Sequence, residues 1–102
     1  MSDPFRLDGK RAVVTGAGKG IGRGISLQLA KAGADLVISS RTQEDLDSLA
    51  IEIEALGRQV TKVVVDVTNT AELEDLAAQA VAGGGIDVWV NNAGGLPDAT
   101  PR

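Results

Sequence analysis

The residues whose spacing most suggests chemistry are the glycines of the stretch VVTGAGKGIGRG, residues 13–24. Five glycines fall between Gly16 and Gly24, directly after a β-branched run and directly before a helical pattern. Because glycine has no Cβ, such a stretch can turn sharply off a strand and approach a phosphate closely. A helix that follows offers free N–H groups and the positive end of its dipole to an anion. The spacing predicts a phosphate-binding turn, with a tight turn that binds nothing as the alternative.

The order of the glycines separates two kinds of phosphate loop. No lysine has glycine both directly before it and six positions before it, which excludes the P-loop pattern. The strict G-x-G-x-x-G spacing is also absent, because Gly16 and Gly18 are followed by Ile21. What remains is TGxxxGIG over residues 15–22. Its first glycine would turn the chain, and its last two would let the backbone approach a pyrophosphate and the sheet, as in a dinucleotide-binding fold.

Four apolar segments and three helical patterns would position this loop. The apolar segments, each typical of a strand, are residues 11–15, 34–40, 60–65 and 86–90. The second helical pattern follows the candidate N-cap Thr42, with Asp45 in its acidic first turn. The third follows the candidate N-cap Asn69, which has capping-box spacing to Glu72. The residues expected on the three buried faces are Ile21, Ile25 and Leu29; Leu46, Leu49, Ile53 and Leu56; and Leu73, Leu76, Ala80 and Val81.

Strands that alternate with helices of about a dozen residues predict an α/β fold with a parallel sheet. Right-handed crossovers then place helices on both faces. We expect the N-terminal half of a Rossmann-type doubly wound sheet, with strand order 3-2-1-4. It would form a single partial domain over residues 1–102, with a loop-like tail at 95–102. The stretch VTKVVVDV would be fully buried and would need cover on both faces of the sheet. The fourth strand would leave an apolar edge uncovered. Both features indicate a truncated chain or a fragment.

Composition excludes several other functions. A net charge of −4 argues against nucleic-acid binding, which normally requires a basic patch. The chain has no cysteine and no histidine, which excludes disulfides, thiolate chemistry and the commonest general base and metal ligand. No apolar run approaches the ~18 residues of a membrane span, and the first ten residues lack the apolar segment of a secretory signal. We therefore expect a cytoplasmic protein with no nucleic-acid partner, no membrane partner and no metal.

Four short motifs, each at the end of a predicted strand, point to one family. They are TGAGKGIG at 15–22, SSRT at 39–42, DVT at 66–68 and NNAG at 91–94. In this order they resemble the short-chain dehydrogenase/reductase family over essentially the whole chain. All four would lie at the carboxyl ends of strands, where open α/β sheets bind ligands.

The resemblance implies a nicotinamide cofactor and the residues that hold it. Its pyrophosphate and ribose side would be lined by Gly16, Gly18, Lys19, Gly20, Ile21 and Gly22. Asp66 and Val67 would lie against adenine, where a carboxylate can accept from the exocyclic amine and a backbone N–H can donate to a ring nitrogen. The residues implied beside the adenosine ribose are Asn92, Ala93 and Gly94. One asparagine of the pair Asn91-Asn92 is expected to tie adjacent strands together.

The end of the second strand bears on the choice between NADP(H) and NAD(H). An acidic residue there would accept from the adenosine ribose 2′-hydroxyl and repel a 2′-phosphate, but this chain has Ser40 followed by Arg41. The planar fork of arginine suits phosphate oxygens, and Lys19 adds a positive charge on the same side. These residues favour NADP(H), with a solvated loop cation as the alternative for either basic residue. Arg23, in the first helical turn, is left open between phosphate and solvent.

The resemblance also implies a catalytic Tyr-x-x-x-Lys pair, whose tyrosine acts as general acid or base on the substrate oxygen. This chain has no tyrosine, so no catalytic residue is assigned to it. The expected function is NADP(H) binding within an oxidoreductase that moves hydride between the cofactor and a small-molecule carbonyl or alcohol. The alternative is an inactive truncated or split nucleotide-binding module that needs a partner chain. A complete protein would be a homo-oligomer, a tetramer or a dimer, and its substrate is not indicated.

Overall fold

The computed structural model describes residues 6–66 and 69–92. Strands and helices alternate along these residues in the predicted order, and the strand ends differ from the predicted ones by at most two residues. The elements are β1 (Arg11–Thr15), α1 (Gly20–Lys31), β2 (Asp35–Ser40), α2 (Gln43–Ala55), β3 (Val60–Val64), α3 (Thr70–Ala82) and β4 (Val88–Asn91). The tail predicted at 95–102 lies outside the described residues.

The four strands form one parallel sheet in the order β3-β2-β1-β4, which confirms the predicted Rossmann-type topology. The chain moves outward from β1 through β2 to β3, then returns across the sheet to place β4 on the other side of β1. The order therefore reverses next to β1, and in open α/β sheets the carboxyl ends of the strands at such a reversal form the ligand-binding crevice. The register pairs Thr15 with Asn91 at this end, so both strands finish level with each other.

The two faces of the sheet carry separate hydrophobic cores, which confirms that helices cover both sides. Alternate residues of β1 and β2 enter opposite cores because successive side chains of a strand point to opposite faces. Val14 and Ile38 join the core under α1 and α2, which also contains Leu46, Leu49 and Ile53. The core under α3 contains Val13, Val37, Val65, Leu76 and Ala80. The central strands are thus fixed from both sides, and the loops at their carboxyl ends rest on a rigid base.

Helix α1 is rotated relative to the prediction. Its buried residues are Gly22, Ser26 and Ala30, whereas Ile21 is 75% exposed. The prediction that Ile21 shares the buried face is therefore wrong. The physical reason is the close approach of the helix to the turn before it, since a Cβ on Gly22 would overlap the carbonyl oxygen of Gly16. Small residues face the sheet because larger ones would hold the helix away from it.

Three further burial predictions are wrong. Leu56 is 41% exposed because it follows the last residue of α2 and no longer shares the helical face. Val81 is 61% exposed because it stands one position after Ala80, which occupies the buried face of α3. The stretch that contains β3 is not fully buried either, and Val64 is 48% exposed. Within the described residues β3 is the outer strand and pairs with β2 alone.

Three arginines stabilise the amino-terminal edge of the sheet, opposite the glycine-rich turn. The Arg11 guanidinium donates to the carbonyl oxygens of Ala80 and Gly85, at the carboxyl end of α3. Arg58 donates to Gly33 over 2.9 Å, just after α1, and Arg6 donates to the carbonyl of Lys31. Of these acceptors, Ala80 and Lys31 belong to the last turn of a helix, where a cation opposes the negative end of the dipole.

Candidate cofactor-binding site

The turn between β1 and α1 can form only because of its glycines. Gly16 and Gly20 have φ angles of 61° and 56°, in the left-handed region that residues with a Cβ rarely adopt. Gly22 lies so close to the carbonyl of Gly16 that a Cβ would overlap it. The turn therefore folds back on itself, and its glycines bring backbone to the carboxyl ends of β1 and β4, beside the exposed side chain of Lys19.

Two asparagines, Asn91 at the end of β4 and Asn92 directly after it, tie this strand to the end of β1. The side-chain amide of Asn92 donates to the carbonyl oxygen of Gly16 over 3.1 Å. The hydroxyl of Thr15 donates to the Asn91 side-chain oxygen over 3.0 Å. One asparagine was predicted to join adjacent strands, and the structure shows both in that role. Asn92, one of the predicted cofactor residues, thereby holds the glycine-rich turn in place.

The amino terminus of α1 is open toward the crevice. Lys19 occupies the N-cap position, and within the described residues no side chain caps the helix there. The first turn of α1 contains no acidic residue. An uncapped helix start with left-handed glycine beside it combines free N–H donors with the positive end of the helix dipole. This arrangement suits a phosphate group.

The end of β2 meets the same turn. The backbone N–H of Ala17 donates to the carbonyl oxygen of Ser39 over 2.9 Å. A Cβ on Gly18 would lie 3.1 Å from the hydroxyl oxygen of Ser40, so the two residues are in contact. The Ser40 hydroxyl accepts from the backbone N–H of Thr42 over 3.2 Å. Thr42 is the N-cap of α2 as predicted, although its own side chain makes no capping hydrogen bond.

Arg41, which follows Ser40, is exposed. Among the described residues it makes no ion pair. Lys19 differs from Arg41 because its ammonium lies 3.8 Å from the carboxylate of Asp45. The structure thus brings both predicted cations to the edge that carries the glycine-rich turn, and it partly neutralises one of them.

Asp45 is the site residue that sequence reasoning missed. From the sequence, Asp45 was predicted only to be an acid in the first turn of α2. In the structure a Cβ on Gly18 would lie 2.6 Å from the Cβ of Asp45, so this residue is packed against the glycine-rich turn. Its position three residues after the N-cap Thr42 is the signal that could have found it, because the first turn of a helix after β2 lies at the carboxyl edge of the sheet.

The side chain of Arg23, on α1, is bonded to side chains of α2. Neither of the two roles left open for it, contact with phosphate or exposure to solvent, describes this position. Its guanidinium forms an ion pair with Glu52 and donates to the hydroxyl of Ser48 over 3.1 Å. It also reaches the carbonyl oxygen of Gly18 at 3.4 Å. Side chains of α2 thus hold the turn through Arg23.

A second ion pair fixes α2 against the sheet. The ammonium of Lys62, on β3, donates to the carboxylate of Asp47 over 2.9 Å. This hydrogen bond holds the pKa of Asp47 below its ordinary value, with a smaller contribution from Gln43. The same bond raises the pKa of Lys62. The helix that carries Asp45 is therefore anchored at its first turns.

Asp66 follows β3 and is half-buried at the same edge of the sheet. Its backbone N–H donates to the Glu72 carboxylate over 2.8 Å, and the side chain of Asn69 accepts from the backbone N–H of Glu72. Half of the predicted capping box is present, since Glu72 binds Asp66 instead of returning to Asn69. The remaining predicted cofactor residues, which lie outside the described residues, are Val67, Ala93 and Gly94.

The parallel order 3-2-1-4, with a glycine-rich turn after β1, defines a Rossmann-type α/β protein. The family model for short chain dehydrogenases matches residues 10–101, so the chain belongs to the short-chain dehydrogenase family. No helix within residues 6–66 and 69–92 is long and apolar enough to cross a membrane.

The relatives of the chain are oxidoreductases of greater length. It is 49% identical over 94 residues to an uncharacterised oxidoreductase of Mycobacterium tuberculosis, covering 91% of this chain and 36% of the relative. It is 44% identical over 95 residues to the 7α-hydroxysteroid dehydrogenase of Escherichia coli, covering 92% and 37%. The chain therefore spans little more than a third of the length of these curated relatives.

Solved structures show the same relationship. A hydroxysteroid dehydrogenase from Escherichia coli superposes with a TM-score of 0.84 at 43% identity, covering 89% of this chain and 39% of that one. A 7α-hydroxysteroid dehydrogenase in complex with NADH and 7-oxo glycochenodeoxycholic acid gives a TM-score of 0.82 at 41% identity, covering 85% and 34%.

Proposed function

We propose that this chain forms the cofactor-binding part of a nicotinamide-dependent oxidoreductase. The complete protein would transfer hydride between the cofactor and a carbonyl or alcohol group of a small molecule. The observation that carries the proposal is the packing of Gly22 against the carbonyl of Gly16, which Asn92 also contacts. This packing leaves no room for a Cβ between the turn and the start of α1, and such close approach of backbone is what a dinucleotide-binding turn needs. Membership of the short-chain dehydrogenase family and a relative solved with NADH support it.

The residues of the chain would act by binding and orienting the cofactor. The start of α1, with Gly20 and Ile21, would donate backbone N–H groups to the pyrophosphate. Asp66 would accept from the adenine amine, with Val67 beside the ring. The backbone around Asn92, Ala93 and Gly94 would pass the adenosine ribose. The nicotinamide ring, when bound, supplies or accepts the hydride.

We further propose that the cofactor is NADP(H) rather than NAD(H). Ser40 at the end of β2 carries no negative charge, and Arg41 beside it is exposed and without an ion pair among the described residues. A guanidinium can donate two parallel hydrogen bonds to a 2′-phosphate. Lys19 would add a second, weaker attraction, because part of its charge is balanced by Asp45.

The proton-transfer step would need a group that these residues do not provide. The chain has no tyrosine and no histidine, and the tyrosine–lysine pair implied by the family resemblance is not present in it. The second candidate function is a nucleotide-binding module that binds the cofactor without turnover. Both candidates share the cofactor site, and they differ in whether the complete protein oxidises or reduces a substrate.

Calorimetric titration of the complete protein with NADP⁺ and with NAD⁺ tests the proposal. We expect saturable binding of both, with the tighter dissociation constant for NADP⁺. Binding of neither nucleotide would contradict the cofactor site itself. Tighter binding of NAD⁺ would contradict the preference alone. A spectrophotometric assay of NADPH oxidation with a panel of carbonyl compounds then separates the enzyme from the module without turnover.

A further inference from the structure

Three residues from different elements meet at one point beside the glycine-rich turn. A Cβ built on Gly18 would lie 2.6 Å from the Cβ of Asp45 and 3.1 Å from the hydroxyl oxygen of Ser40. Asp45 on α2 is therefore a neighbour of the strand end at which an acidic residue would oppose a 2′-phosphate. The end of β2 lacks that acid, and the first turn of α2 brings one to the same place.

The carboxylate of Asp45 faces Lys19 of the glycine-rich turn. It lies 3.8 Å from the ammonium of Lys19, and the Asp45 side chain is only 25% exposed, against 81% for Lys19. Ion pairs with so exposed a partner contribute little to folding. The effect of this pair is instead on charge, because Asp45 offsets one of the two cations that would attract a phosphate.

The other charged groups of α2 near this point do not replace Asp45. Asp47 forms an ion pair with Lys62, and Glu52 forms one with Arg23. Glu44 is exposed, and within the described part of the chain it has no ion pair. Asp45 is thus the acidic group of α2 that contacts the glycine-rich turn.

We propose that Asp45 is a specificity-determining residue that weakens the preference for NADP(H) over NAD(H). This inference rests on the proposed function, since it concerns the same cofactor site. A 2′-phosphate carries about −1.5 to −2 charges and is repelled by the carboxylate, and it must compete with Asp45 for Lys19. A ribose 2′-hydroxyl is not repelled, and it can donate a hydrogen bond to a carboxylate. Arg41 sets the direction of the preference, and Asp45 limits its size.

The test compares three variants of the complete protein by calorimetric titration with NADP⁺ and NAD⁺. Asp45→Asn removes the charge and keeps the shape, and we expect the affinity ratio to shift toward NADP⁺ by about three- to ten-fold. Asp45→Glu keeps the charge and should stay near the original ratio. Glu44→Gln, the matched control, removes an equal charge one residue away and should shift the ratio less than about two-fold. The shift for Asp45→Asn should shrink at high salt.

Thermal unfolding of each variant separates a change of charge from a loss of structure. If Asp45→Asn does not fold, Asp45→Ser provides a second neutral variant with the same expected shift. An unchanged ratio in the neutral variant, or an equal shift in Glu44→Gln or Asp45→Glu, would overturn the role of Asp45 and leave the cofactor site intact. Failure of the original protein to bind either nucleotide would overturn the proposed function, and this inference with it.

Discussion

The side-chain amide of Asn92 donates to the carbonyl oxygen of Gly16 across 3.1 Å, between residues 76 positions apart in the chain. A Cβ on Gly22 would overlap the same carbonyl, so both Asn92 and the start of α1 contact the turn at Gly16. The end of β4 and the start of α1 therefore set the shape of the turn together. A cofactor site of this kind depends on the whole sheet order, because β4 reaches Gly16 only by returning across the sheet to β1.

Replacement of Arg41 by aspartate should reverse the cofactor preference. A charge-assisted hydrogen bond is worth about 1.5–3 kcal/mol, so NADP⁺ binding should weaken by about ten-fold or more, while NAD⁺ binding is retained or improved. Dissociation constants for both cofactors measure the effect. Arg41→Lys keeps the charge and loses the planar fork of donors. Its ratio of dissociation constants for the two cofactors should lie between those of the original protein and of Arg41→Asp. An unchanged ratio in Arg41→Asp would show that this residue does not contact the phosphate.

Removal of Arg23 should loosen the turn from α2. Arg23→Met loses the ion pair to Glu52 and the contact with the carbonyl of Gly18, so we expect the free energy of unfolding to fall by about 1 kcal/mol. Denaturant unfolding measures this change. A double-mutant cycle with Glu52→Gln should give a coupling energy of about 0.2–1 kcal/mol. Strict additivity of the two substitutions would argue against the pair.

The Asp47–Lys62 pair should stabilise the fold over a defined range of pH. The pKa of Asp47 is lowered in the folded state, so its contribution is complete above the ordinary value of 3.8 and is lost as the pH falls through the lower folded value. The pKa of Lys62 is raised, so its contribution is complete below 10.5 and is lost as the pH rises through the higher folded value. The coupling from Asp47→Asn and Lys62→Met should be favourable at neutral pH and vanish well below pH 3.8. Coupling that persists in acid would contradict the pair.

The order of strands was predictable from sequence because it follows from hydrophobic periodicity and right-handed crossovers. The phase of α1 was not, because its burial depends on how closely Gly22 approaches Gly16, a contact that the apolar pattern at Ile21 does not report. The exposure of β3 at Val64 depends on which strand lies outermost within the described sheet.

The candidate site was predictable to the extent that it consists of backbone. The glycines, together with the asparagines at the end of β4 and directly after it, have a recognisable spacing. The structure brings Gly16 and Asn92 into contact. Asp45 was missed because its spacing from the N-cap Thr42 was taken only as an acid in the first turn of α2, whereas its approach to Gly18 is a contact between distant parts of the chain. The cofactor-binding roles of all the predicted site residues remain predictions, and Val67, Ala93 and Gly94 also lie outside the described residues.

Gly22→Ala and Gly24→Ala test the central claim, that the close-packed glycine-rich turn holds the cofactor, most directly. Both add one methyl group within the first turns of α1, but the Cβ at Gly22 overlaps the carbonyl of Gly16 and approaches the Asn92 amide, whereas the Cβ at Gly24 has nothing within 4 Å. In calorimetric titration of the complete protein, Gly22→Ala should bind NADP⁺ at least ten-fold more weakly than the original protein, and Gly24→Ala should bind it equally well. The expected difference in binding free energy between the two variants is about 1.4 kcal/mol or more. Equal binding by the two variants would contradict the account.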